Sequence, residues 1–246
     1  MEPAEYDYMF QLEDSLWWYV GMRRIVYNLL KRNLNPAAGP LQILDAGCGT
    51  GGSLKLLERF GRVTAFDFSQ KAAEMYLTRQ RGRILVASTD AIPFADASFD
   101  LVTSFDVICQ LPTPADEASL AELGRVLKPG GVLLVRTPAL QSLYGPHDVT
   151  LHTQHRYTTN EMARKIEKAG LRVLETTYAN TLLFPVAFAR RMLAKLLGKA
   201  GGESDVRPVP KPLNSVLTAV LGAEAAILKH ARLPIGLSVI ALARKP

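Results

Sequence analysis

The pattern of apolar and polar positions divides the chain into strand-like and helix-like segments that follow one another in pairs. Short apolar runs predict buried strands in the segments LQILDAG, RVTAFDF, RILVAS, SFDLVTSF and GVLLVRTP. Apolar residues at three- and four-residue spacing predict helices between them, in SLKLLERF, SQKAAEMYLTRQR and residues 114–127. Strands that alternate with helices in short units are typical of a parallel, doubly wound α/β sheet.

The same spacing extends the prediction to both ends of the chain. It predicts an N-terminal helix over residues 12–34, and a helix TTNEMARKIEKAG followed by a strand LRVLETTYAN. Two amphipathic helices, over residues 182–199 and 213–231, precede a last strand, GLSVIALARKP, and therefore form an excursion from the main sheet. The predicted organisation is an N-terminal helical segment (1–36), an α/β core (37–181), a helical insertion (182–232) and a final core strand (233–246).

Composition indicates a globular protein of the cell interior. The chain has 246 residues, of which 48% are hydrophobic and 21% charged, enough for a substantial core. Its two cysteines, Cys48 and Cys109, are too few for a disulfide framework, which favours a reducing compartment. Because MEPAEYDYMF is unlike a signal peptide and no long apolar run is predicted to span a membrane, we expect a cytoplasmic location.

The positive charge is concentrated in the C-terminal quarter. The net charge is +6, but residues 186–246 contain ten Lys or Arg and three Asp or Glu, so they carry +7 and the remainder carries −1. A nucleic-acid-binding protein more often spreads basic residues along a groove and interleaves aromatic ones, so we expect no nucleic-acid partner. A basic, apolar helical region could instead make peripheral contact with a membrane, or be a solvated helix face.

A glycine-rich turn, ILDAGCGTGG at residues 43–52, follows the first predicted strand and opens the first predicted helix of the core. Glycine lets the backbone approach a ligand closely, and a helix N-terminus offers free N–H groups. Gly47, Gly49 and Gly52 fit the G-x-G-x-x-G pattern of dinucleotide-binding proteins. Gly47, Gly49 and Gly51 equally fit the G-x-G-x-G loop of S-adenosylmethionine (SAM) enzymes, so the turn alone leaves both cofactors open.

Acidic residues near the turn favour SAM. Asp45 precedes the first glycine by two residues, where a carboxylate would repel a pyrophosphate but suits a ribose and a cationic ammonium group. Asp67 ends the second strand and would bind ribose in either reading, while Asp90, in ASTDAIPF, can accept from an adenine amino group. With SFDLVTSFDVI and RVLKPGG further along, residues 41–137 resemble the class I SAM-dependent methyltransferases that act on small molecules.

The resemblance implies a Rossmann-like, seven-stranded, mostly parallel sheet with helices on both faces and SAM bound across the strand ends. It implies a cofactor site in which the glycine loop approaches SAM, a carboxylate binds the ribose, and an aromatic ring packs against adenine. Two further residues contact the edge of the adenine, a second aromatic ring lies near the methionine part, and an arginine binds the SAM carboxylate. In chain order the implied cofactor ligands are Arg23, Asp45, Gly47, Gly49, Gly51, Asp67, Phe68, Asp90, Ala91 and Phe105.

The N-terminal helix carries the pattern WWYVG-x-RR, which in similar proteins belongs to a lid over the cofactor. Tyr19 is therefore a candidate for contact with the substrate. Arg23 and Arg24 are both candidates for the carboxylate contact, and the sequence does not choose between them. An amphipathic helix that only covers the core would show the same residues.

One departure from the family pattern concerns the residue after the fourth strand. Many members have a histidine there, whereas this chain has Gln110, a substrate-binding candidate that cannot act as a general base. Cys109 resembles the nucleophile of cytosine-C5 methylases, but Ile108 replaces the proline expected before it. The Asn/Asp-Pro-Pro-aromatic motif of adenine and glutamine N-methylases is also absent at this point.

The stretch GPHDVTLHTQHRYTT, residues 145–159, holds three of the four histidines of the chain. Because it follows the fifth strand, it should cover the acceptor side of a SAM crevice. Its histidines could be metal ligands, a catalytic base or polar loop residues; their spacing fits no zinc signature, so we expect no metal site. The candidates here are His147 and His152 for catalysis, and Tyr144, Arg156 and Tyr157 for substrate contact.

We therefore expect a SAM-dependent methyltransferase that acts on an oxygen or nitrogen of a small, hydrophobic acceptor. The first alternative is a protein with the SAM-binding fold but without catalytic activity, which binds a partner or a membrane. This alternative stays open because Gln110 stands where many family members have a histidine. The second is an NAD-dependent oxidoreductase that uses the other glycine register. The identity of the acceptor and the oligomeric state have no signal in the sequence.

Overall fold

A single seven-stranded sheet organises the part of the chain that the computed structural model describes, which is residues 1–34, 39–79, 83–196 and 207–246. The strand order is β3-β2-β1-β4-β5-β7-β6, and β7 runs antiparallel to both of its neighbours. This confirms the predicted Rossmann-like, mostly parallel sheet. The strands are β1 (Leu41–Ala46), β2 (Gly61–Asp67), β3 (Ile84–Val86), β4 (Phe99–Phe105), β5 (Leu127–Pro138), β6 (Arg172–Ala179) and β7 (Ser238–Arg244).

The helices lie between the strands and at the N-terminus. None of those in the described ranges is long and apolar enough to cross a membrane. In chain order they are α1 (Pro3–Leu12), α2 (Trp17–Asn33), α3 (Leu54–Leu57), α4 (Gln70–Arg79), α5 (Ala115–Val126), α6 (Pro146–Thr150), α7 (Thr159–Lys168), α8 (Phe184–Leu196) and α9 (Lys211–Ile227).

The N-terminal region differs most from the prediction. The helix predicted over residues 12–34 is α2 alone, because a turn after α1 and an extended Leu16 separate the two helices. The pattern analysis missed α1, although Pro3 at its first turn and apolar residues at helical spacing are signals for it. The predicted boundary at residue 36 and much of the linker between α8 and α9 lie outside the described residues.

Each face of the sheet is covered by its own set of helices. On one face α2 and α9 pack with α3 over strand residues such as Ile43, Leu101 and Ile240, all of which are fully buried. On the other face α5 and α7 pack over residues such as Leu44 and Val102. The near-continuous apolar runs of the strands follow from this, since both faces of a parallel sheet are buried.

The strand order reverses direction at β1. From β1 the chain first adds β2 and β3 on one side, and then crosses to place β4 on the other side. At such a switch point the connections leave in opposite directions and open a crevice at the carboxyl ends of the strands. The residues that follow β1, β2, β4 and β5 therefore meet at one edge of the sheet.

Gly21 sets how closely α2 approaches α9. A Cβ built on Gly21 would lie 2.5 Å from both Cβ and Cδ1 of Leu221. The Leu221 Cβ cannot move away without its helix, so α9 can pack at this distance only against glycine. The helix α9 is thus packed into the main core.

Replacement of Gly21 by alanine should destabilise the protein. We expect Gly21→Ala to lower the free energy of unfolding by about 1–3 kcal/mol, the usual cost of overpacking a core. Gly124→Ala is the matched control, because a Cβ there would meet only Leu171 at ordinary contact distances of 3.4–3.5 Å. Denaturant unfolding of both variants measures the difference, and equal stabilities would contradict the close packing of α2 on α9.

Candidate active site

The glycine loop after β1 has a backbone that only glycine adopts easily. Gly47, Gly49 and Gly51 have positive φ angles of 77°, 55° and 89°. The N–H groups of Gly47 and Cys48 donate to the Phe66 carbonyl of β2, at 2.9 and 3.0 Å. These bonds fix the loop at the crevice, and the absence of Cβ atoms leaves its outer surface open to close approach.

Asp45 lies beneath this loop as a buried carboxyl with one oxygen unpaired. Its side chain is 1% exposed, and its Oδ1 accepts from the Thr103 hydroxyl of β4 at 2.8 Å. Its Oδ2 is buried and has no hydrogen-bond partner. Burial raises the pKa of Asp45 to about 7, a rise that the Thr103 hydrogen bond opposes. A buried acceptor without a donor is costly, so the site is suited to a ligand that donates to it.

Asp67 at the end of β2 ties the glycine loop to the next turn. Its Oδ2 accepts from the Gly49 N–H at 2.8 Å, and its Oδ1 accepts from the Ser69 N–H at 2.9 Å. Burial raises its pKa, and these backbone hydrogen bonds oppose the rise. Each carboxylate oxygen has a second lone pair, so Asp67 can still accept from a ligand hydroxyl.

The residues expected around an adenine lie next to Asp67. Phe68 is 80% exposed, which leaves its ring free to pack on a flat ligand. Asp90 and Ala91 are also exposed, in the turn that follows β3. The structure therefore brings this part of the predicted set to the same edge of the sheet as the glycine loop.

An ion pair missed by the sequence analysis joins the ends of β4 and β5. Arg136 donates to Asp106 Oδ2 from Nε at 3.0 Å and from a terminal nitrogen at 2.6 Å. Its guanidinium also lies 4.8 Å from the ring centroid of Trp18 and 5.1 Å from that of Phe105. Phe105 thus belongs to a ring–guanidinium stack that closes the crevice beside α2. The WWYVG pattern in the sequence indicates the aromatic side of this contact. Nothing in the sequence indicates that its partner is Arg136 of β5.

Tyr19 lies in the same region, and burial raises its pKa, so its hydroxyl stays protonated at neutral pH.

Gln110 donates from Nε2 to the Asp106 carbonyl at 3.0 Å. Cys109 is 2% exposed, and burial raises the pKa of its thiol well above the usual value, so a reactive thiolate is not favoured there.

The helix α1 lies directly over the glycine loop. A Cβ on Gly49 would lie 2.8 Å from the methyl carbon of Met9, so this side chain rests on the loop backbone. Just after α1, buried Glu13 accepts from the Thr50 hydroxyl at 2.5 Å and closely covers Gly52. Lys71 of α4 holds α1 by donating to Asp7 at 2.6 Å and to the Pro3 carbonyl at 2.9 Å.

The two arginine candidates of α2 face different surroundings. Arg23 is half-buried near Glu13 and Asp14, and burial lowers its pKa while the two carboxylates oppose this. Arg24 is exposed, and its guanidinium lies 3.1 Å from the position that a Cβ on Gly222 of α9 would occupy. Arg23 is therefore the arginine on the side of the glycine loop.

The histidines after β5 are separated rather than clustered. His152 has a positive φ of 56°, and its ring contacts the Met1 amine at 3.1 Å and the Glu2 carboxylate at 2.8 Å. His155 contacts Glu161 at 2.7 Å. His147 lies in α6, half-buried. Within the described ranges no three His, Cys, Asp or Glu side chains are grouped so that they could hold a metal ion.

Arg156 and Tyr157 occupy positions that do not suit substrate contact. Arg156 is 4% exposed and is bound to Asp148 at 2.8 Å and to the Ala139 carbonyl at 2.8 Å. Tyr157 is fully buried and donates to Asp116 at 2.9 Å. Both side chains stabilise the fold of the loop, which corrects the expectation that they contact a substrate. Tyr144, which donates to the Thr153 carbonyl at 3.0 Å, remains half-buried at the surface of the loop.

Comparisons with known proteins agree with this geometry. The family model described as a methyltransferase domain matches residues 44–135. A malonyl-[acyl-carrier protein] O-methyltransferase from Serratia marcescens is 40% identical over 107 residues, covering 42% of this chain and 40% of that protein. A protein named as a probable S-adenosylmethionine-dependent methyltransferase from Mycolicibacterium smegmatis is 34% identical over 168 residues, covering 67% of this chain and 62% of that protein.

The fold has a counterpart of nearly the same extent among solved structures. A SAM-dependent methyltransferase from Thermotoga maritima superimposes with a TM-score of 0.59 at 18% identity, covering 99% of this chain and 96% of that one. At this identity the similarity supports the fold alone. The matched segments span less than two thirds of the two curated relatives, 40% and 62% of their lengths. The fold, with an unpaired carboxyl beneath its glycine loop, agrees with the family model and with these relatives. The chain belongs to the class I SAM-dependent methyltransferase family.

Proposed function

We propose that the protein transfers the methyl group of SAM to an oxygen or nitrogen of a small, hydrophobic acceptor. The observation that carries the proposal is the unpaired Oδ2 of Asp45, a buried acceptor placed under an open glycine loop. It suits a ligand that brings a donor or a positive charge, as the ammonium and ribose groups of SAM do. A dinucleotide would instead bring a pyrophosphate, which a neighbouring carboxylate repels.

The residues around Asp45 fit the rest of SAM. Asp67 retains lone pairs for the ribose hydroxyls, and exposed Phe68 offers a face for adenine. Asp90 is exposed where an adenine amino group would be reached, and the Ala91 backbone follows it. Arg23 is the candidate for the carboxylate of the methionine part, since a guanidinium binds a carboxylate through paired hydrogen bonds.

SAM supplies a methyl group that is already activated on a sulfonium. The task of the chain is then to hold an acceptor in line with that group and to exclude water. Tyr19 and the Arg136–Phe105–Trp18 stack lie where they would form the wall beside the acceptor. Gln110 and Tyr144 can orient an acceptor by hydrogen bonds, and neither needs to change its protonation state.

His147 and His152 are the proposed proton acceptors. Both lie in the segment that leaves β5 at the crevice, and an imidazole is the side chain that most often acts as a general base. His152 contacts Met1 and Glu2, which precede the proposed lid α1, so this side chain would lie at the mouth of the proposed site. His155 contacts Glu161 of α7 and is not proposed for this role.

The acceptor is proposed to be hydrophobic because α8 exposes large apolar side chains to solvent. Val186 is 71% exposed, Leu193 is 57% exposed and Phe188 is 39% exposed. Arg191 of the same helix donates to the Leu143 carbonyl, so α8 lies against the segment that follows β5. The same surface would serve the peripheral membrane contact proposed for the basic C-terminal helices, if the acceptor is itself in a membrane.

The helix α1 is proposed as a lid that must move before SAM enters. Met9 covers Gly49, and Glu13 covers Gly52. These are the loop surfaces that SAM would approach. Two basic side chains of α4 fasten α1: Lys71 donates to Asp7 and to the Pro3 carbonyl, and Arg79 donates to the Phe10 carbonyl and lies over the Phe10 ring. The Lys71–Asp7 pair is partly exposed, so the loss of this pair costs little and would ease the opening of the lid.

Calorimetry with SAM and with its demethylated product tests the cofactor site directly. We expect Asp45→Asn to weaken binding about 10- to 100-fold, since hydrogen bonds to a charged group contribute about 1.5–3 kcal/mol. Asp100→Asn is the matched control: its carboxylate pairs with Lys128, at the other end of β4 from the crevice. Absence of binding by the folded wild-type protein would remove the proposed function, and equal weakening in both variants would remove the role of Asp45.

The raised pKa of Asp45 also predicts a pH-dependent change in stability. Between its ordinary value of 3.8 and about 7, the folded state holds a proton that the unfolded state releases, so this group makes folding less favourable as pH rises. The melting temperature of Asp45→Asn should therefore exceed that of wild type by more at about pH 8 than at about pH 5. Thermal unfolding followed by circular dichroism measures it, and a difference independent of pH would contradict the burial of this carboxyl.

The lid predicts an effect on the rate of cofactor binding. Lys71→Met removes two contacts of α1, so SAM should associate faster with this variant than with wild type. Lys128→Met is the control, because it removes a lysine–aspartate pair far from α1. Stopped-flow fluorescence of the tryptophans in α2 measures the association, and an unchanged rate would count against α1 as the lid.

Turnover with radiolabelled SAM and a panel of carboxylic acids, phenols, amines and thiols tests the acceptor class. We expect transfer to an oxygen or nitrogen acceptor with an apolar body. Replacement of the histidine that takes the proton, by His147→Gln or His152→Gln, should lower kcat by about 10²- to 10⁴-fold. Transfer to thiols alone would contradict the proposed chemistry, and full activity of both variants would remove the histidine base.

A further inference from the structure

A second concave surface lies outside the crevice, between α2, α3 and α9. It is a groove with a volume of about 710 Å³, within the range of small-molecule sites. Asp45 and Asp67 do not line it, whereas Arg23 and Gly52 do, so the groove borders the crevice without including its two carboxyls. The charged side chains that line it are Asp14, Arg23, Arg24, Lys55, Arg59 and Lys229.

The floor of the groove is made by small residues of α9. Ala219, Gly222, Ala225 and Ala226 lie along it, so a ligand can come close to the helix backbone. The groove opens beside the close contact of Gly21 with Leu221, where α2 and α9 are held together. The floor is therefore part of the packed core and is formed before any ligand arrives.

The cations of the groove exceed its acidic groups. Asp14 is the acidic side chain among the lining residues, and it pairs with Arg79 of α4 at 2.5 Å. In the described part of the chain, no ion pair joins Arg24, Lys55 or Lys229 to a carboxylate. These positive charges face a common space without local compensation.

Two of the guanidinium groups are already oriented. Arg59 lies over the Tyr27 ring at 4.3 Å and donates to its hydroxyl at 3.3 Å. Arg24 lies over Gly222, on the floor. A planar guanidinium that is held in place binds phosphate oxygens through paired hydrogen bonds with little further loss of side-chain entropy.

We propose that this groove binds the phosphate or pyrophosphate group of a soluble phosphate ester. Several uncompensated cations need a group with more than one negative charge, and phosphate oxygens match the geometry of arginine. The small apolar floor suits a slender organic chain attached to that group. A membrane surface is disfavoured, because the larger apolar lining side chains, Val20, Tyr27 and Leu56, are half-buried and do not project as a membrane anchor.

The experiment uses the full chain and inorganic pyrophosphate as the probe, with inorganic phosphate alongside, by calorimetry at low and at physiological salt. The test variant is Arg24→Glu/Lys55→Glu/Lys229→Glu. The control variant, Arg62→Glu/Arg83→Glu/Arg172→Glu, makes the same change in net charge at exposed cations that do not line the groove. A Gln version of the test triple covers the case in which charge reversal prevents folding, and circular dichroism checks each variant.

We expect saturable, one-site binding of pyrophosphate to wild type and to the control, and a loss of at least about tenfold in the test triple. Asp45→Asn should bind pyrophosphate normally, which separates this site from the proposed cofactor site. Equal loss in the test and control triples, absence of binding to wild type, or loss in Asp45→Asn would overturn the proposal. So would binding of phosphatidylglycerol vesicles that needs the groove cations but is not displaced by pyrophosphate.

Discussion

The buried carboxyl of Asp45 is the constraint around which the crevice is built. It lies where β1 meets β4, takes one hydrogen bond from Thr103, and has a second oxygen without a partner beneath three glycines of positive φ. Such a group costs stability unless something donates to it. The proposed cofactor would offset this cost by donating to it, and the same burial that raises its pKa would strengthen its interaction with a positive group.

The remaining parts of the site follow from how the chain covers that edge of the sheet. The loops after β2 and β4 and the segment after β5 converge there because parallel strands all end on one side. α2 and α9 pack on one face through Gly21 and make the outer groove, while α1 crosses the glycine loop through Met9. The crevice and the groove thus share a wall of helices but differ in charge: carboxyls lie at the base of the crevice, and cations line the groove.

Local pattern was sufficient to predict the sheet and the glycine loop that follows β1. The strands are short apolar runs, and the glycine and aspartate positions are set by backbone geometry and by the ends of strands, so both are encoded within a few residues. The contacts that the pattern could not predict depend on residues that are distant in the sequence. The Arg136–Asp106 pair joins two strands, and the burial of Arg156 depends on Asp148 in a helix that the pattern did not show. Helical spacing ran through the break at residues 13–16, because a turn between two amphipathic helices keeps its apolar residues in register.

A crystal structure of the full chain with S-adenosylhomocysteine, the demethylated product of SAM, tests the central claim most directly. The account predicts that a nitrogen or hydroxyl of this ligand lies within hydrogen-bond distance of Asp45 Oδ2, that its ribose lies on Asp67, and that Met9 no longer rests on Gly49. A ligand bound elsewhere, or an Asp45 carboxyl that still has no partner with the ligand in the crevice, would contradict it.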